Sequence, residues 1–146
     1  MAQVQVKKLD TRAVLPVRSS EHAAGYDLSA CLDGESAVIG ANETRKLGTG
    51  LAFALPEGTF GAVFARSGLA AREGLRPANC VGVIDSDYRG ELIVALHNDA
   101  GTPRTVTQGE RIAQLVLLPY LPMEFEEVDA LDETVRGAGG FGSTGT

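Results

Sequence analysis

Turn-forming residues cut this chain into apolar runs too short for long helices, and that spacing decides the fold class. Residues 4–9 alternate Val4 and Val6 with Gln5 and Lys7, the period-2 pattern of a half-buried strand. Asp33-Gly34 marks a turn before a short run at 36–39, and Pro56-Glu57-Gly58 marks another. Between them, residues 44–55 read as one or two strands with Gly48 and Gly50 as bends. Further strands are expected at 60–65, 92–96, 111–118 and 123–128. The unbroken apolar run at 92–96 reads as buried on both faces. Pro119 and Pro122 stop the strand before the last candidate. Only residues 67–72, SGLAAR, hold helix formers behind a serine able to act as N-cap, which predicts one or two helical turns. Many short strands with one short helix predict an all-β barrel or sandwich, the jelly roll among the options.

Composition bounds the rest. A chain of 146 residues suits one domain, and a domain of that size hides roughly 70% of its unfolded surface. The 44% apolar content argues against disorder throughout. No apolar run approaches the ~20 residues of a membrane helix, and the first ten residues lack a signal-peptide core. A cytoplasmic location is therefore expected. A net charge of −6 offers no basic face for duplex nucleic acid. Phosphates must then be gripped locally, by a few arginines, backbone N–H groups and a metal. Cys31 and Cys80 read as buried, inert thiols, and His22 and His97 show no zinc-ligand spacing.

Residues 136–145 read RGAGGFGSTG, a glycine-rich segment that builds no core. Taken alone it is a mobile terminus, although glycine loops also bring backbone N–H groups close to anions.

Four internal stretches hold chemistry-bearing side chains. Asp27 sits among apolar neighbours in AGYDL (24–28); alone, it is more simply a solvated strand residue. Arg66, Ser67 and Gly68 open the helical segment, where charge, hydroxyl and free N–H groups suit an anion, although a plain helix cap reads the same. Residues 79–90, NCVGVIDSDYRG, crowd two carboxylates, a tyrosine and an arginine into a loop beside the apolar Ile84. That combination favours function over a solvated hairpin tip. Gln114 interrupts the apolar strand of GERIAQL (109–115), where it braces the core or holds a water.

In order and spacing, these five stretches resemble the five motifs of the trimeric dUTPase family, over nearly the whole chain from about residue 13. Ala65 departs from the pattern, since a proline often precedes the Arg-Ser-Gly there. The resemblance implies a jelly-roll-like β barrel with one short helix over residues 1–128. A C-terminal arm and active-site lid would occupy 129–146. It also implies a homotrimer whose sites draw on all three subunits: the first, second and fourth stretches from one, the third from another, the tail from the last.

The implied reaction is Mg²⁺-dependent hydrolysis of dUTP to dUMP and pyrophosphate by water attack on the α-phosphorus. It would limit uracil in DNA and supply dUMP for thymidylate synthesis. The resemblance makes Asp85 the general base and Gln114 the group that orients the water. Arg66, Ser67 and Gly68 would cradle phosphate, and Asp27 would reach the Mg²⁺ through water. Asn79 and the backbone around Val83 would read the uracil edge, while the Tyr88 ring would exclude a 2′-hydroxyl. From the tail, Arg136, Gly142, Ser143 and Thr144 would close on the phosphates. Phe141 would stack on uracil, a contact of roughly 1–3 kcal/mol. Two alternatives are a dCTP deaminase, which needs a catalytic glutamate in the base pocket, and a silent nucleotide-sensing module.

Overall fold

The computed structural model describes residues 3–140. Eleven strands and one helix form three antiparallel sheets. The first sheet orders β1 (Gln5–Lys8), β5 (Thr44–Ala54), β9 (Glu91–Asn98) and β7 (Leu75–Pro77). The second orders β2 (Val17–Arg18), β3 (Tyr26–Ser29), β11 (Arg111–Pro119), β6 (Thr59–Phe64) and β8 (Gly82–Ile84). A small ribbon pairs β4 (Ser36–Ile39) with β10 (Arg104–Thr107). Leu28, Ile39, Leu51, Leu75, Leu92, Leu96 and Ile112, supplied by all three sheets, are fully buried together. This is the all-β architecture with one short helix that the turn spacing predicted, and the jelly-roll type that the family resemblance implied.

Residues 44–54 form one strand with a shift of register between Gly48 and Ala52. Gly50 makes the shift possible. Its φ is +65°, and a Cβ there would lie 2.8 Å from the Ala13 methyl and 2.9 Å from the Cys31 sulfur. Its N–H is satisfied by Glu91 Oε1 at 2.7 Å. Buried Asn98 braces the far end, donating to the carbonyls of Ile39, Gly40 and Thr102 at 2.8–3.1 Å and accepting from Ala100 N.

Four expectations need correction. The 92–96 run is not buried on both faces: Leu92 and Val94 are 1% and 2% exposed, whereas Ile93 between them is 47% exposed. Among the described residues the outer face at Ile93 is left open, so the pleat alternates despite an apolar composition. Residues 123–128 form no strand. Met123 and Phe125 are largely exposed, and among the described residues no neighbouring strand offers them a ladder. Ser67 is not an N-cap: helix α1 runs Ser67–Glu73, Arg66 holds the cap position, and no side chain caps it. Finally, Cys80 is exposed and Cys31 half-buried, because Cys80 lies in a surface turn instead of a strand.

Candidate functional site

The larger sheet brings three of the five stretches together. Asp27 on β3 stands directly opposite Gln114 on β11, which in turn stands opposite Phe64 on β6. The chain leaves β6 through Ala65 and Arg66 into α1, so the helix start lies over the same strand end. Arg66 Nε donates to Asp27 Oδ1 at 2.9 Å, and Arg111 Nη1 donates to Asp27 Oδ2 at 3.0 Å. The Asp27 carboxylate, only 11% exposed, is thus held between two guanidinium groups.

Gln114 has a fixed orientation. Its Nε2 donates to the Ala65 carbonyl at 2.8 Å. That carbonyl can only accept, so Oε1 must face the other way, toward Gly25. A Cβ on Gly25 would fall 2.2 Å from Oε1. Glycine in the first stretch therefore clears space for the amide oxygen, which keeps its acceptor capacity. The bond at position 65 uses only a backbone carbonyl, which alanine supplies as well as proline does.

Ser67, the first residue of α1, is exposed, and its hydroxyl makes no hydrogen bond among the described residues. Buried Leu69 anchors the helix, and Gly74 (φ +70°) ends it in the left-handed conformation. Arg104 ties the helix end to the fourth stretch by bonding both Glu73 and Glu110. The resulting cleft of about 370 Å³ is lined by Asp27, Arg66, Ser67, Gly68, Arg72 and Gln114.

The third stretch lies elsewhere. β8 pairs with β6 through Val83–Ala62 and Ile84–Gly61. Asp85 follows at the exposed strand end, beside a cleft of about 760 Å³ that Val83, Asp87, Phe60 and Tyr120 also line. Tyr88 folds back so that its hydroxyl donates to the Glu91 carbonyl at 2.9 Å, and its ring occupies the space over Gly90. Upstream, Asn79 and Cys80 form a tight exposed turn. Cys80 N–H donates to Pro77 O at 3.2 Å, Val81 N–H donates to Asn79 O at 2.6 Å, and Cys80 has φ +57°. A non-glycine residue there costs roughly 1–2 kcal/mol. The Asn79 amide lies against Gly82, whose Cβ would meet Nδ2 at 3.3 Å.

Within one chain, Asp85 and Gln114 do not meet. By register they flank opposite ends of β6, about 13 Å apart along the strand and about 10 Å across the sheet. Arg136 lines neither cleft, and among the described residues its side chain bonds only the Gly139 carbonyl, at 2.8 Å. Phe141, Gly142, Ser143 and Thr144 lie outside the described residues. Sequence reasoning passed over Arg111, Arg72 and Gly25. The Arg111–Asp27 pair joins positions 84 apart, and no local pattern announces such a contact.

Among the described residues, no three His, Cys, Asp or Glu side chains converge on a metal position. None of the helices there is long and apolar enough to cross a membrane.

Arginines gathered at one strand end, a free hydroxyl and a steric gap beside the backbone suit a phosphorylated ligand. The class so defined is a jelly-roll phosphate-binding protein. Comparison with known proteins makes this specific. The dUTPase family model matches residues 11–145. The deoxyuridine 5′-triphosphate nucleotidohydrolase of Corynebacterium glutamicum is 50% identical over 146 residues, covering 99% of this chain and 96% of that protein. The dUTPase of Staphylococcus bacteriophage 80alpha, solved with dUPNHPP, superposes with a TM-score of 0.88 at 29% identity and covers 99% of each chain. A phage phi11 dUTPase, described with a structural Mg(II) ion, superposes with a TM-score of 0.80 at 25% identity, covering 90% of this chain and 99% of its own. The chain belongs to the dUTPase family.

Proposed function

We propose that the chain is a dUTP diphosphatase, hydrolysing dUTP to dUMP and pyrophosphate, and that its active site is assembled from separate copies. Such an activity limits uracil in DNA and supplies dUMP for thymidylate synthesis. The observation that carries this reading is the orientation of Gln114. Its Oε1 accepts no hydrogen bond among the described residues, and Gln114 lines the cleft of Arg66 and Ser67, an arrangement that suits a nucleophilic water as donor.

The separation of Asp85 from Gln114 supports a homotrimer with shared sites. So does the stretch after β11, which exposes Leu121, Met123, Phe125 and Leu131 to solvent. Apolar side chains spaced along an exposed segment suit burial on a neighbouring copy. The jelly-roll body then spans 1–128, and 129–146 is the arm that delivers Arg136 and the residues after it.

In the assembled site, water attacks the α-phosphorus and the bond to the bridging oxygen of the β-phosphate breaks. Asp85 takes one proton of the water, and Gln114 Oε1 accepts its second hydrogen. Arg66, the Ser67 hydroxyl and the backbone at Gly68 bind phosphate oxygens. Asn79 and the backbone near Val83 read the base edge, and the Tyr88 ring fills the place of a 2′-hydroxyl. Arg136, Gly142, Ser143 and Thr144 close on the terminal phosphates, and Phe141 covers the uracil. Mg²⁺, when bound with the nucleotide, offsets triphosphate charge. Asp27, whose two oxygens each accept from one arginine and keep further lone pairs, would act on the ion through its hydration shell.

A deaminase reading fits less well. Glu91, the glutamate that follows the third stretch in sequence, is committed to the Gly50 N–H in a different cleft, and Glu57, which lines the Asp85 cleft, makes no hydrogen bond to the third stretch among the described residues. Pyrophosphate release with Mg²⁺ from dUTP, dCTP, dTTP and UTP in parallel tests the proposal. Release from dUTP alone supports it. Ammonia from dCTP supports the deaminase, and dUTP binding without turnover supports the sensing module.

A further inference from the structure

The turn at residues 77–81, which the proposed function assigns to base reading, is held from outside by a single side chain. Arg76, on β7, sends Nη1 to the Pro77 carbonyl at 3.3 Å and to the Cys80 sulfur at 3.6 Å. The same Pro77 carbonyl closes the turn by accepting the Cys80 N–H. Among the described residues, no other side chain from outside residues 77–81 hydrogen-bonds into them. Buried Pro77 and the Ala78 N–H, which donates to Ala95 O at 2.7 Å, fix the start of the turn, but Asn79, Cys80 and Val81 beyond them are all exposed.

Arg76 is itself fixed. Asp99 accepts its Nε at 2.7 Å and its Nη2 at 3.0 Å in a forked pair. Asp99 also approaches His97 Nε2 at 3.3 Å, and Thr44 Oγ1 bonds His97 Nδ1 at 2.9 Å. His97 stands opposite Arg76 in the β7–β9 register. The guanidinium is thus clamped on one edge and presents its remaining arm to the turn.

We infer that Arg76, clamped by Asp99, is a positioning residue that fixes the Asn79–Cys80 turn and so sets the preference for uracil over cytosine. The inference rests on the assignment of Asn79 to base reading. Uracil and cytosine differ only in the donors and acceptors of one edge. A turn that reads the edge must hold its own groups to a fraction of an ångström, or both bases fit equally. The left-handed Cys80 makes the turn prone to relax once its restraint is lost.

The test compares Arg76→Ala, Arg76→Lys, Asp99→Ala and the double variant Arg76→Ala/Asp99→Ala, with Asn79→Ala as control. For Arg76→Ala, KM for dUTP should rise about tenfold with kcat nearly unchanged, as the loss of one or two hydrogen-bond restraints implies. The dUMP-to-dCMP affinity ratio should fall in parallel, while thermal midpoint and oligomeric state stay close to wild type. Arg76→Lys, which cannot fork to Asp99 and reach the turn together, should resemble Arg76→Ala. The double variant should be no worse than the worse single one, because both act through one unit. Unchanged KM and base preference in Arg76→Ala, with Asn79→Ala strongly impaired, would overturn the inference and leave the base-reading assignment standing. Unimpaired Asn79→Ala would remove both.

Discussion

Gln114 Nε2 donates to the backbone carbonyl of Ala65 at 2.8 Å, joining two stretches that lie 49 residues apart in sequence. The bond fixes which end of the amide is left to accept, and so fixes the hydrogen-bond polarity that the proposed site offers a water. It also shows why a departure from proline at position 65 leaves the arrangement intact, since the contact is made by main chain.

Gly25→Ala tests that orientation without touching a polar group. The new methyl would overlap Gln114 Oε1, which lies 2.2 Å from the Cβ position, and the amide would swing off Ala65. A displacement of this size near reacting atoms costs about a hundredfold in rate. We expect kcat to fall by that order while KM for dUTP and the thermal midpoint change little, as measured by steady-state kinetics and calorimetry. Wild-type kcat would show that Gln114 does not orient the water.

The strands were legible in the sequence because turn chemistry and apolar period agree there. Asp33-Gly34 and Pro56-Glu57-Gly58 flank β4, β5 and β6 as expected, and Pro119 ends β11. Two features misled. Continuous apolar composition at 92–96 could not reveal that Ile93 faces outward. The alternation of Met123 and Phe125 with Glu124 and Glu126 has a strand's period, but a strand forms only where a partner ladder exists. The roles of Asp27, Asp85 and Gln114 came from the family resemblance. The arginine clamp on Asp27 was illegible, since Arg111 is distant in sequence and lies in a stretch whose interest seemed to rest on its glutamine.

Tyr88→Ala should weaken the rejection of ribose. The ring is held by the hydroxyl bond to Glu91 O, and its removal would open space where the proposed site places a 2′-hydroxyl. The kcat/KM for UTP relative to dUTP should rise about tenfold or more, within the range that a steric pocket supplies. Tyr88→Phe, which keeps the ring, should change the ratio far less. Equal ratios in wild type and Tyr88→Ala would place the sugar filter elsewhere.

Deleting residues 136–146 removes Arg136 and the glycine-rich segment but none of the strands among the described residues. The truncated protein should keep the oligomeric state and thermal midpoint of the full chain by light scattering and calorimetry. Its kcat/KM for dUTP should drop at least a hundredfold, a loss within the reach of phosphate-clamping groups. Full activity would remove the lid from the mechanism.

The Arg76–Asp99 pair has a pH signature. Hydrogen bonds from Arg76 hold the Asp99 carboxyl below its ordinary value of 3.8. A carboxylate lowered in the folded state contributes stability that is present above its unfolded pKa. That contribution is lost as pH falls through the lowered folded value. The restraint on the turn therefore persists at neutral pH and weakens as pH falls through the lowered Asp99 value. In an NMR titration of wild type, Asp99 should titrate below 3.8, and in Arg76→Ala its midpoint should move up. An unmoved midpoint would dissolve the pair as a unit. Asp10, which Arg12 holds at about 2, serves as an internal reference unaffected by the substitution.

The most direct test of the composite dUTPase site is complementation between two inactive chains. Asp85→Asn should lose most turnover while still binding dUTP, and Gln114→Ala should lose turnover for want of an oriented water. When the two variants are unfolded, mixed and refolded together, some sites will take Asp85 from one chain and Gln114 from another, and dUTP hydrolysis should reappear in the mixture. Mixtures that remain as inactive as either variant alone, despite verified co-assembly, would contradict a site shared between copies of this chain.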